Sequence, residues 1–473
     1  MREFNMFTGG KWLSSSDKMD VLNPYNGEVI GRVSKAGEKD MEEAINSSHK
    51  AFSLTKKTPS YLRSEVLKYI AKRIKEERED FAKIISLEAG KPVKDARLEV
   101  DRGINTFTIA SEEVSRIGGE YVPLDLLPSS VGRFGITKRF PRGPVAAISP
   151  FNFPLNLVAH KVAPSIASGN SVIIKPSSTT PMTALKLAGI LAETDWPSGG
   201  VNALACPSEL AEKLATDERI KILSFTGSPA VGWHLKRLAS KKQVILELGG
   251  NAGVIVHDDT NLDMAVKRCV LGSFSFAGQI CISVQRIYIQ NRIYDSFLDK
   301  FLEYTKSLKI GDPLEEDTDI GPMINPAAVE KTKEFLREAV DGGAGILLGG
   351  HFDGNLLEPS VIINVEPAMK IYCEEAFAPV VCISSYDTFE EAVSLVDDSP
   401  YGLQCGIFTN DIKRIVYAFE NIEVGGVIIN DIPTFRVDHM PYGGVKDSGF
   451  GREGLRYAIE EMTELKLLAF NML

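Results

Sequence analysis

The pattern of apolar and polar positions divides the chain into a helical part and two series of short apolar runs. Between residues 37 and 118, apolar side chains recur at helical spacing among Lys and Glu, as in EVLKYIAKRIKEEREDFAKII, which predicts amphipathic helices. From residue 143 onward, the runs GPVAAIS, NSVIIKPS, IKILSFTGS and KQVILELGG end at Gly, Pro or Ser, with helical stretches between most of them. Buried strands that alternate with helices predict a parallel sheet covered on both faces.

A second series of the same kind follows in the runs QRIYIQN, GILLGG, APVVCISSY, GIFTN and GGVIIN. Two such series predict an α/β fold of two lobes with a cleft between them. Thr180–Pro181 and Ser228–Pro229 each place a capping residue before a Pro, which is favoured at the first helical position. Helix starts at the carboxyl ends of parallel strands present free N–H groups, so both predict anion sites.

Composition narrows the class of protein. The formal net charge of −10 over 473 residues disfavours nucleic acid and anionic membranes as partners. No segment approaches the roughly twenty uninterrupted apolar residues of a membrane helix, and MREFNMFTGGKW lacks the apolar core of a secretion signal. The six cysteines form no CxxC pair and show no metal-ligand spacing. We therefore expect a cytoplasmic protein with free thiols and no metal site.

The segment GFGREG, residues 449–454, has the G-x-G-x-x-G spacing of dinucleotide-binding loops. The preceding PYGGVKDS is not a strand pattern, and too little chain follows for a βαβ unit. This segment therefore predicts a tight glycine turn before the last helix rather than a cofactor loop.

Three other segments carry candidate chemistry, although each has an ordinary structural interpretation. Cys281 in FAGQICISVQR could be a packing cysteine, Glu247 in LELGGN an ion-paired acid, and Asn152 in SPFNFPLN a turn asparagine. Together with KPSSTTP, FTGSPAVG, EEAFAPV and PYGGVKDSGFGREG, these segments resemble the motifs of the aldehyde dehydrogenase superfamily in order and separation. The resemblance runs from NPYNGEVI to EMTELK. AGQICIS and FRVDHMPYGGVKDSGFGREG are most similar to lactaldehyde-type dehydrogenases.

The resemblance implies oxidation of an aldehyde to its carboxylic acid with reduction of NAD(P). Cys281 would attack the aldehyde as a thiolate and form a thiohemiacetal. The side-chain amide of Asn152 and the backbone N–H of Cys281 would hold the oxyanion. Hydride transfer would leave a thioester, and Glu247, whose apolar setting raises the pKa of a carboxyl, would activate the hydrolytic water. Glu453 is a further candidate, as a minor proton relay.

The resemblance also implies a Rossmann-like cofactor domain without the usual glycine fingerprint. Lys175 would reach the adenosine ribose, and the helix that starts at Gly227 and Ser228 would meet the pyrophosphate. The other implied cofactor-binding residues are Ser149, Pro150, Phe151, Val231, Leu248, Gly249, Glu375 and Phe377.

The chain departs from the family pattern near the cofactor and the nucleophile. Ser178 stands where NAD-preferring relatives commonly carry a Glu that binds the ribose 2′-hydroxyl. Without that carboxylate a 2′-phosphate is not repelled, so we expect NADP to be used at least as well as NAD. Cys206 stands where many relatives carry a Gly close to the adenosine, which leaves the local fit open. Ile280 replaces the Arg that non-phosphorylating glyceraldehyde-3-phosphate dehydrogenases can carry before the nucleophile.

The expected substrate is a small polar aldehyde such as lactaldehyde. Succinate semialdehyde and glyceraldehyde 3-phosphate are alternatives. Arg436 and His439 in the loop DIPTFRVDHMP, and Arg102 in a helix near the entrance, are the candidate substrate contacts. Arg436 could equally be a solvated loop charge. The retained Glu247 argues against transfer of the acyl group to CoA, and retention of all three catalytic candidates argues against a non-catalytic binding protein.

The resemblance divides the chain into three parts. Residues 1–118 and 141–247 form the NAD(P)-binding domain, and 248–450 form the catalytic domain. Residues 119–140 and 451–473 form a small oligomerisation element. A terminal strand that pairs across subunits would cover an exposed sheet edge, so we expect a homodimer or homotetramer.

Overall fold

The computed structural model describes residues 2–472. Its strands are β1 (Arg2–Phe4), β2 (Met6–Thr8), β3 (Lys11–Leu13), β4 (Lys18–Leu22), β5 (Val29–Ser34), β6 (Tyr121–Pro123), β7 (Arg133–Pro141), β8 (Val145–Ile148), β9 (Val172–Lys175), β10 (Val201–Ala203), β11 (Ile222–Thr226), β12 (Gln243–Glu247), β13 (Ala252–Val256), β14 (Val284–Gln290), β15 (Gly345–Leu348), β16 (Phe352–Asp353), β17 (Leu356–Leu357), β18 (Ser360–Ile363), β19 (Val380–Tyr386), β20 (Tyr401–Gly402), β21 (Gln404–Phe408), β22 (Gly426–Ile429), β23 (Val445–Lys446), β24 (Gly449–Phe450) and β25 (Thr463–Asn471).

The helices cover both faces of the sheets. They are α1 (Glu38–Thr55), α2 (Ser60–Glu76), α3 (Arg78–Ala89), α4 (Val93–Glu113), α5 (Asn156–Ser168), α6 (Met182–Ala192), α7 (Glu209–Thr216), α8 (Pro229–Leu238), α9 (Leu262–Phe274), α10 (Tyr294–Lys306), α11 (Pro326–Asp341), α12 (Lys370–Cys373), α13 (Phe389–Asp397), α14 (Ile412–Asn421) and α15 (Leu455–Glu461). None of these helices is both long enough and apolar enough to cross a membrane.

The first large sheet has the strand order β24-β12-β11-β8-β9-β10-β2-β3. The strands from β12 to β10 are parallel. They are almost wholly buried because α2 to α6 cover one face and α1, α7 and α8 cover the other. The chain winds from β8 to β9 and β10, then adds β11 and β12 on the other side of β8. This reversal opens a crevice at the carboxyl ends of β8 and β11, where ligands bind in such sheets.

The second large sheet has the order β15-β18-β19-β14-β13-β21-β22, and only β15 runs antiparallel. Residues 248–251 lead directly from the carboxyl end of β12 to the amino end of β13. The carboxyl ends of the first parallel strands therefore lie close to the segments that precede the strands of the second sheet.

A small antiparallel sheet of order β25-β7-β6 stands apart from both large sheets. β25 pairs with β7 along its full length, from Thr463 to Asn471. Leu465, Leu467 and Leu468 on β25 are exposed. An apolar edge strand of this kind is a template for pairing with a further strand.

The C-terminal segment contacts both the first lobe and the small sheet. β24 pairs with β12 at the edge of the first sheet, and Leu455 and Ile459 of α15 pack in the core of the first lobe. Of residues 451–472, only β25 belongs to the small sheet. Between β24 and α15, Gly451 and Gly454 of the GFGREG turn adopt left-handed φ angles of +84° and +95°, which glycine accepts at little cost.

The two expected helix starts also differ from each other. Ser228 precedes α8 with Pro229 at the first helical position, as predicted. At α6, Pro181 is the residue before the helix, and the Thr180 hydroxyl donates to the Phe151 carbonyl. The backbone N–H groups of Met182 and Thr183, at the start of α6, instead donate to the buried Glu88 carboxylate, at 2.8 and 3.0 Å. The α6 start is therefore not open to an external anion.

Candidate active site

A cavity of about 620 Å³ lies between the two lobes. Asn152, in the loop after β8, and Glu247, at the end of β12, line it from the first lobe. Cys281, just before β14, lines it from the second. The structure thus brings together the three residues that the sequence analysis proposed as catalytic.

The backbone before Cys281 is held in an uncommon conformation. Phe276, Ala277 and Gly278 have φ angles of +48°, +54° and +67°, which are costly for residues other than glycine. A Cβ on Gly278 would lie 2.0 Å from the Ala378 carbonyl oxygen, so only glycine fits there. These contacts fix the turn that carries Cys281.

The Cys281 sulfur has one close polar neighbour in the described structure, the Tyr442 hydroxyl at 3.1 Å. Burial raises the pKa of the Cys281 thiol to about 11, against the lowering effects of the Tyr442 hydrogen bond and the Arg436 charge. Since the thiolate is the nucleophile, these two groups favour the reactive form.

The Asn152 side chain is buried and oriented by the backbone next to the nucleophile. Its Nδ2 donates to the Gln279 carbonyl at 2.9 Å. An amide nitrogen carries two N–H donors, so a second donor stays available to an oxygen in the cavity. This arrangement suits the predicted oxyanion contact.

Glu247 is buried, and neither of its carboxyl oxygens has a hydrogen-bond partner within residues 2–472. Burial and the nearby charge of Glu453 raise its pKa well above the ordinary value, and Arg436 and Lys161 oppose them. A carboxyl with a raised pKa and unbonded oxygens is suited to exchange protons with water or substrate.

Glu453 supplies the charge beside Glu247. Its carboxylate accepts from Lys161 at 3.1 Å and from Arg436 at 2.9 Å. Burial acts against ionisation, but these two cations outweigh it and hold the pKa of Glu453 at about 2. The glycine-rich segment thus contributes a fixed buried anion, not a phosphate loop.

Two of the three predicted substrate residues line the cavity. Arg436 is not a solvated loop charge, because its side chain is only 7% exposed and its guanidinium carbon lies 3.6 Å from the centre of the Tyr442 ring. Arg102 donates to Asp438 at 2.8 Å and also lines the cavity. His439 is exposed and is not part of the lining.

Two side chains that shape this site, Tyr442 and Lys161, are not among the residues predicted from the sequence. Tyr442 contacts the nucleophile, and Lys161 holds Glu453 from the middle of α5. Tyr442 stood inside the quoted PYGG motif, which was the available signal. Lys161 sits in the apolar stretch NLVAHKVAPSIAS, where a lone Lys could have indicated a buried ion pair.

The first lobe also offers an anion site that fits a dinucleotide. Gly227 and Ser228 line the cavity at the start of α8, and no side chain within the described residues caps the first N–H groups of this helix. The Ser149 hydroxyl nearby is buried without a partner in the same part of the chain. Free helix N–H groups at a strand-order reversal suit a pyrophosphate.

Other predicted cofactor residues divide into two groups. The cavity lining includes Pro150, Phe151, Leu248, Gly249, Glu375 and Phe377. Glu375 accepts from the Gly250 N–H at 2.9 Å, and burial raises its pKa to about 7.

Lys175, Ser178 and Val231 lie outside the cavity lining. Lys175 ends β9, which neighbours β8 in the sheet. Ser178 is exposed just beyond it, and its hydroxyl is 3.5 Å from the Cys206 carbonyl. The structure thus places Lys175 and Ser178 next to the crevice, on the side of β8 away from Glu247.

Comparisons with known proteins identify the class of this site. The chain matches the model of the Aldehyde dehydrogenase family over residues 12–468. A 3-sulfolactaldehyde dehydrogenase from Priestia megaterium is 44% identical over 473 residues, which cover 100% of this chain and 99% of that protein. The chain therefore belongs to the aldehyde dehydrogenase family. The predicted family, α/β fold and aldehyde-oxidising activity are confirmed, and the sulfolactaldehyde relative agrees with the lactaldehyde-type resemblance.

Two solved structures are similar over almost their full length. Aldehyde dehydrogenase 21 from Physcomitrella patens, in complex with the reaction product succinate, has a TM-score of 0.98 and 44% identity over 100% of this chain and 99% of that chain. Glyceraldehyde-3-phosphate dehydrogenase from Methanocaldococcus jannaschii, complexed with NADP, has a TM-score of 0.93 and 41% identity over 97% and 100%.

Proposed function

We propose that this enzyme oxidises a small polar aldehyde of the lactaldehyde type to its carboxylic acid, and that Cys281, Asn152 and Glu247 carry out the reaction. One observation supports the assignment of these residues most directly: all three side chains line one cavity between the lobes. The buried Glu247 favours water over CoA as the acceptor of the acyl group, because a base with a raised pKa is placed to activate water.

Each of these side chains has one step in the proposed mechanism. The Cys281 sulfur attacks the aldehyde carbon, and the free N–H of Asn152 stabilises the charge on the aldehyde oxygen. NAD(P), when bound, accepts the hydride from that carbon. Glu247 then takes a proton from the water that releases the acid from sulfur.

We infer that the cofactor lies along the crevice of the first lobe. Its pyrophosphate would meet the open start of α8 at Gly227 and Ser228, and Lys175 and Ser178 would hold the adenosine end. Glu375 and Phe377 from the second lobe would hold the nicotinamide ribose.

The substitution Ser178→Glu should shift cofactor preference from NADP toward NAD by about tenfold, because a carboxylate repels a 2′-phosphate. The measurement is kcat/KM for both cofactors with one aldehyde, followed at 340 nm. Thr179→Glu is the matched control, since Thr179 is the exposed neighbour. A hundredfold preference of the wild-type enzyme for NAD, about 2.7 kcal/mol, would refute the hypothesis that Ser178 permits use of NADP.

The cavity also favours a substrate with an oxygen-rich substituent. Arg102 and Arg436 both line it, and the Nε atom of each is buried without a partner in the described structure. A hydroxyl, carboxylate, sulfonate or phosphate could accept from these donors. The names of the similar proteins agree, since sulfolactaldehyde, succinate and glyceraldehyde 3-phosphate all carry an anionic group.

Arg102→Met should raise KM for anionic aldehydes about tenfold or more, because a charge-assisted hydrogen bond is lost, while KM for propanal changes less than about twofold. The assay compares lactaldehyde, 3-sulfolactaldehyde, succinate semialdehyde, glyceraldehyde 3-phosphate and propanal. Arg97→Met is the control, because Arg97 lies on the same helix but pairs with Glu316 at the surface. Equal losses on charged and neutral aldehydes would mean that Arg102 is structural.

Substitution of Arg436 does not test substrate binding alone. Its removal also takes a partner from Glu453 and a cation from the neighbourhood of Glu247. We therefore expect Arg436→Met to impair turnover of every aldehyde, whether or not Arg436 contacts the substrate.

We also infer that the enzyme is a homodimer or homotetramer in the cytoplasm. The exposed apolar side chains of β25 support assembly, because they lie on an edge strand. All six cysteines are free thiols, as expected in a reducing compartment.

A further inference from the structure

Tyr442 is the side chain whose position the mechanism above leaves unused. Its hydroxyl lies 3.1 Å from the Cys281 sulfur, and only 2% of the residue is exposed. The ring packs with Ile282 and Leu403 in a small apolar cluster that also contacts Cys281. Tyr442 and Cys281 both line the cavity, and the low exposure of Tyr442 places its hydroxyl in a largely desolvated position, where a hydrogen bond is stronger than in water.

The backbone of Tyr442 is fixed by the segment that follows it. Its N–H donates to the Glu453 carbonyl at 3.1 Å, and the Glu453 N–H donates back at 2.6 Å. This isolated antiparallel bridge holds Tyr442 against the GFGREG turn. The turn thus sets the position of the hydroxyl as well as that of the Glu453 carboxylate.

Arg436 lies on the face of the Tyr442 ring, 3.6 Å from its centre, and its Nη2 donates to Glu453 at 2.9 Å. A guanidinium over an aromatic face draws electron density from the ring, so the phenolic O–H becomes a better donor. A chain of contacts therefore runs from Glu453 through Arg436 and Tyr442 to the sulfur.

We propose that the Tyr442 hydroxyl donates a hydrogen bond to the Cys281 sulfur and favours its thiolate form in the resting enzyme. This role rests on the proposed function of Cys281 as the nucleophile. On ionisation the thiol proton leaves to solvent, and Tyr442 keeps its own proton and directs it at the sulfur. When the sulfur bonds to the aldehyde carbon, its negative charge is lost and the hydrogen bond weakens.

The relative acidities of the Tyr442 phenol and the Cys281 thiol agree with donation from Tyr442 to the sulfur. Burial raises the pKa of Tyr442 well above its ordinary value, and a phenol is already less acidic than a thiol in water. The sulfur therefore ionises before the phenol. Because burial also opposes the thiolate, Cys281 needs a donor to offset part of the desolvation cost, and Tyr442 is the side chain in contact.

The test is the pH dependence of alkylation of Cys281 by iodoacetamide, measured by peptide mass spectrometry in the full-length protein without aldehyde. In Tyr442→Phe the midpoint should rise by about one pH unit, and the rate at pH 7.5 should fall about tenfold, because a hydrogen bond to a charged group is lost. The ring and its contact with Arg436 are retained. Tyr457→Phe, on α15, is the matched control and should leave the profile unchanged.

Cys373 provides an internal reference, because it is a partly exposed thiol outside the cavity. Its alkylation rate should be the same in wild type and Tyr442→Phe. An unchanged or lowered midpoint for Cys281 overturns the proposal, and so does a matching change at Cys373, which would indicate general loosening. Because alkylation needs no aldehyde turnover, this experiment tests the role of Tyr442 even if the proposed substrate class is wrong.

Discussion

Replacement of Cys281 by Ala is expected to abolish aldehyde oxidation while the cofactor still binds. The substitution removes the atom that attacks the aldehyde, so no thiohemiacetal and no thioester can form. Loss of a covalent nucleophile lowers kcat by roughly 10⁴-fold or more. The measurement is formation of reduced cofactor at 340 nm, with titration of NADP binding by protein fluorescence on the same preparation.

The structure gives reasons to expect a folded variant. The Cys281 sulfur faces the cavity, and within residues 2–472 its side-chain hydrogen-bond partner is Tyr442, so the change leaves little unsatisfied. Cys373→Ala is the matched control, because that thiol lies outside the cavity and should be dispensable. Turnover of Cys281→Ala near the wild-type rate would rule out the covalent mechanism.

Most of the central strands of the two large sheets were predictable from local sequence, whereas the short strands β2, β3, β10 and β24 were not. Runs such as VIIK correspond to the whole of β9, since a strand covered on both faces is apolar at every position. Ser228–Pro229 gave the start of α8 correctly because the preference of proline for the first helical position is a local property. These features depend on neighbours within a few residues, which the sequence displays directly.

The contacts that failed prediction are all between distant segments. Thr180 does not cap α6, because Glu88 from α3 reaches the same N–H groups. The sequence left open whether Arg436 contacts the substrate or is a solvated loop charge, and its environment is set by Glu453 and the Tyr442 ring. Only the fold reveals which charges meet in the core, since burial and pairing are tertiary properties.

In the candidate site too, some residues were predictable from the sequence and others were not. Cys281, Glu247 and Asn152 were found because the family motifs mark them, and their convergence on one cavity follows from the strand order. His439 was grouped with Arg436 because they share a loop. Side chains in an irregular loop have no fixed periodicity, so the sequence could not show that His439 is exposed and Arg436 buried.

Replacement of Glu247 by Gln is expected to separate the two halves of the reaction. Thioester formation does not need Glu247 as a base for water, but hydrolysis does. A rapid burst of reduced cofactor, near one per active site, should therefore precede a steady state about 10² to 10⁴ times slower than wild type, the usual range for loss of a general base. Stopped-flow absorbance at 340 nm measures both phases, and mass spectrometry of the quenched enzyme should find the acyl group on Cys281.

The burial of Glu247 makes this variant a fair test. Neither carboxyl oxygen has a hydrogen-bond partner within residues 2–472, so the amide breaks no contact and removes repulsion from Glu453. Thermal stability should be unchanged or higher.

In the wild type, burial and Glu453 raise the pKa of Glu247, so it becomes a base only as pH rises past that raised value. The steady-state rate should rise with pH over that range, and this limb should disappear in Glu247→Gln. A linear time course at the wild-type rate would exclude Glu247 as the base. Loss of the burst together with the steady state would instead assign Glu247 an earlier step, removal of the proton from Cys281.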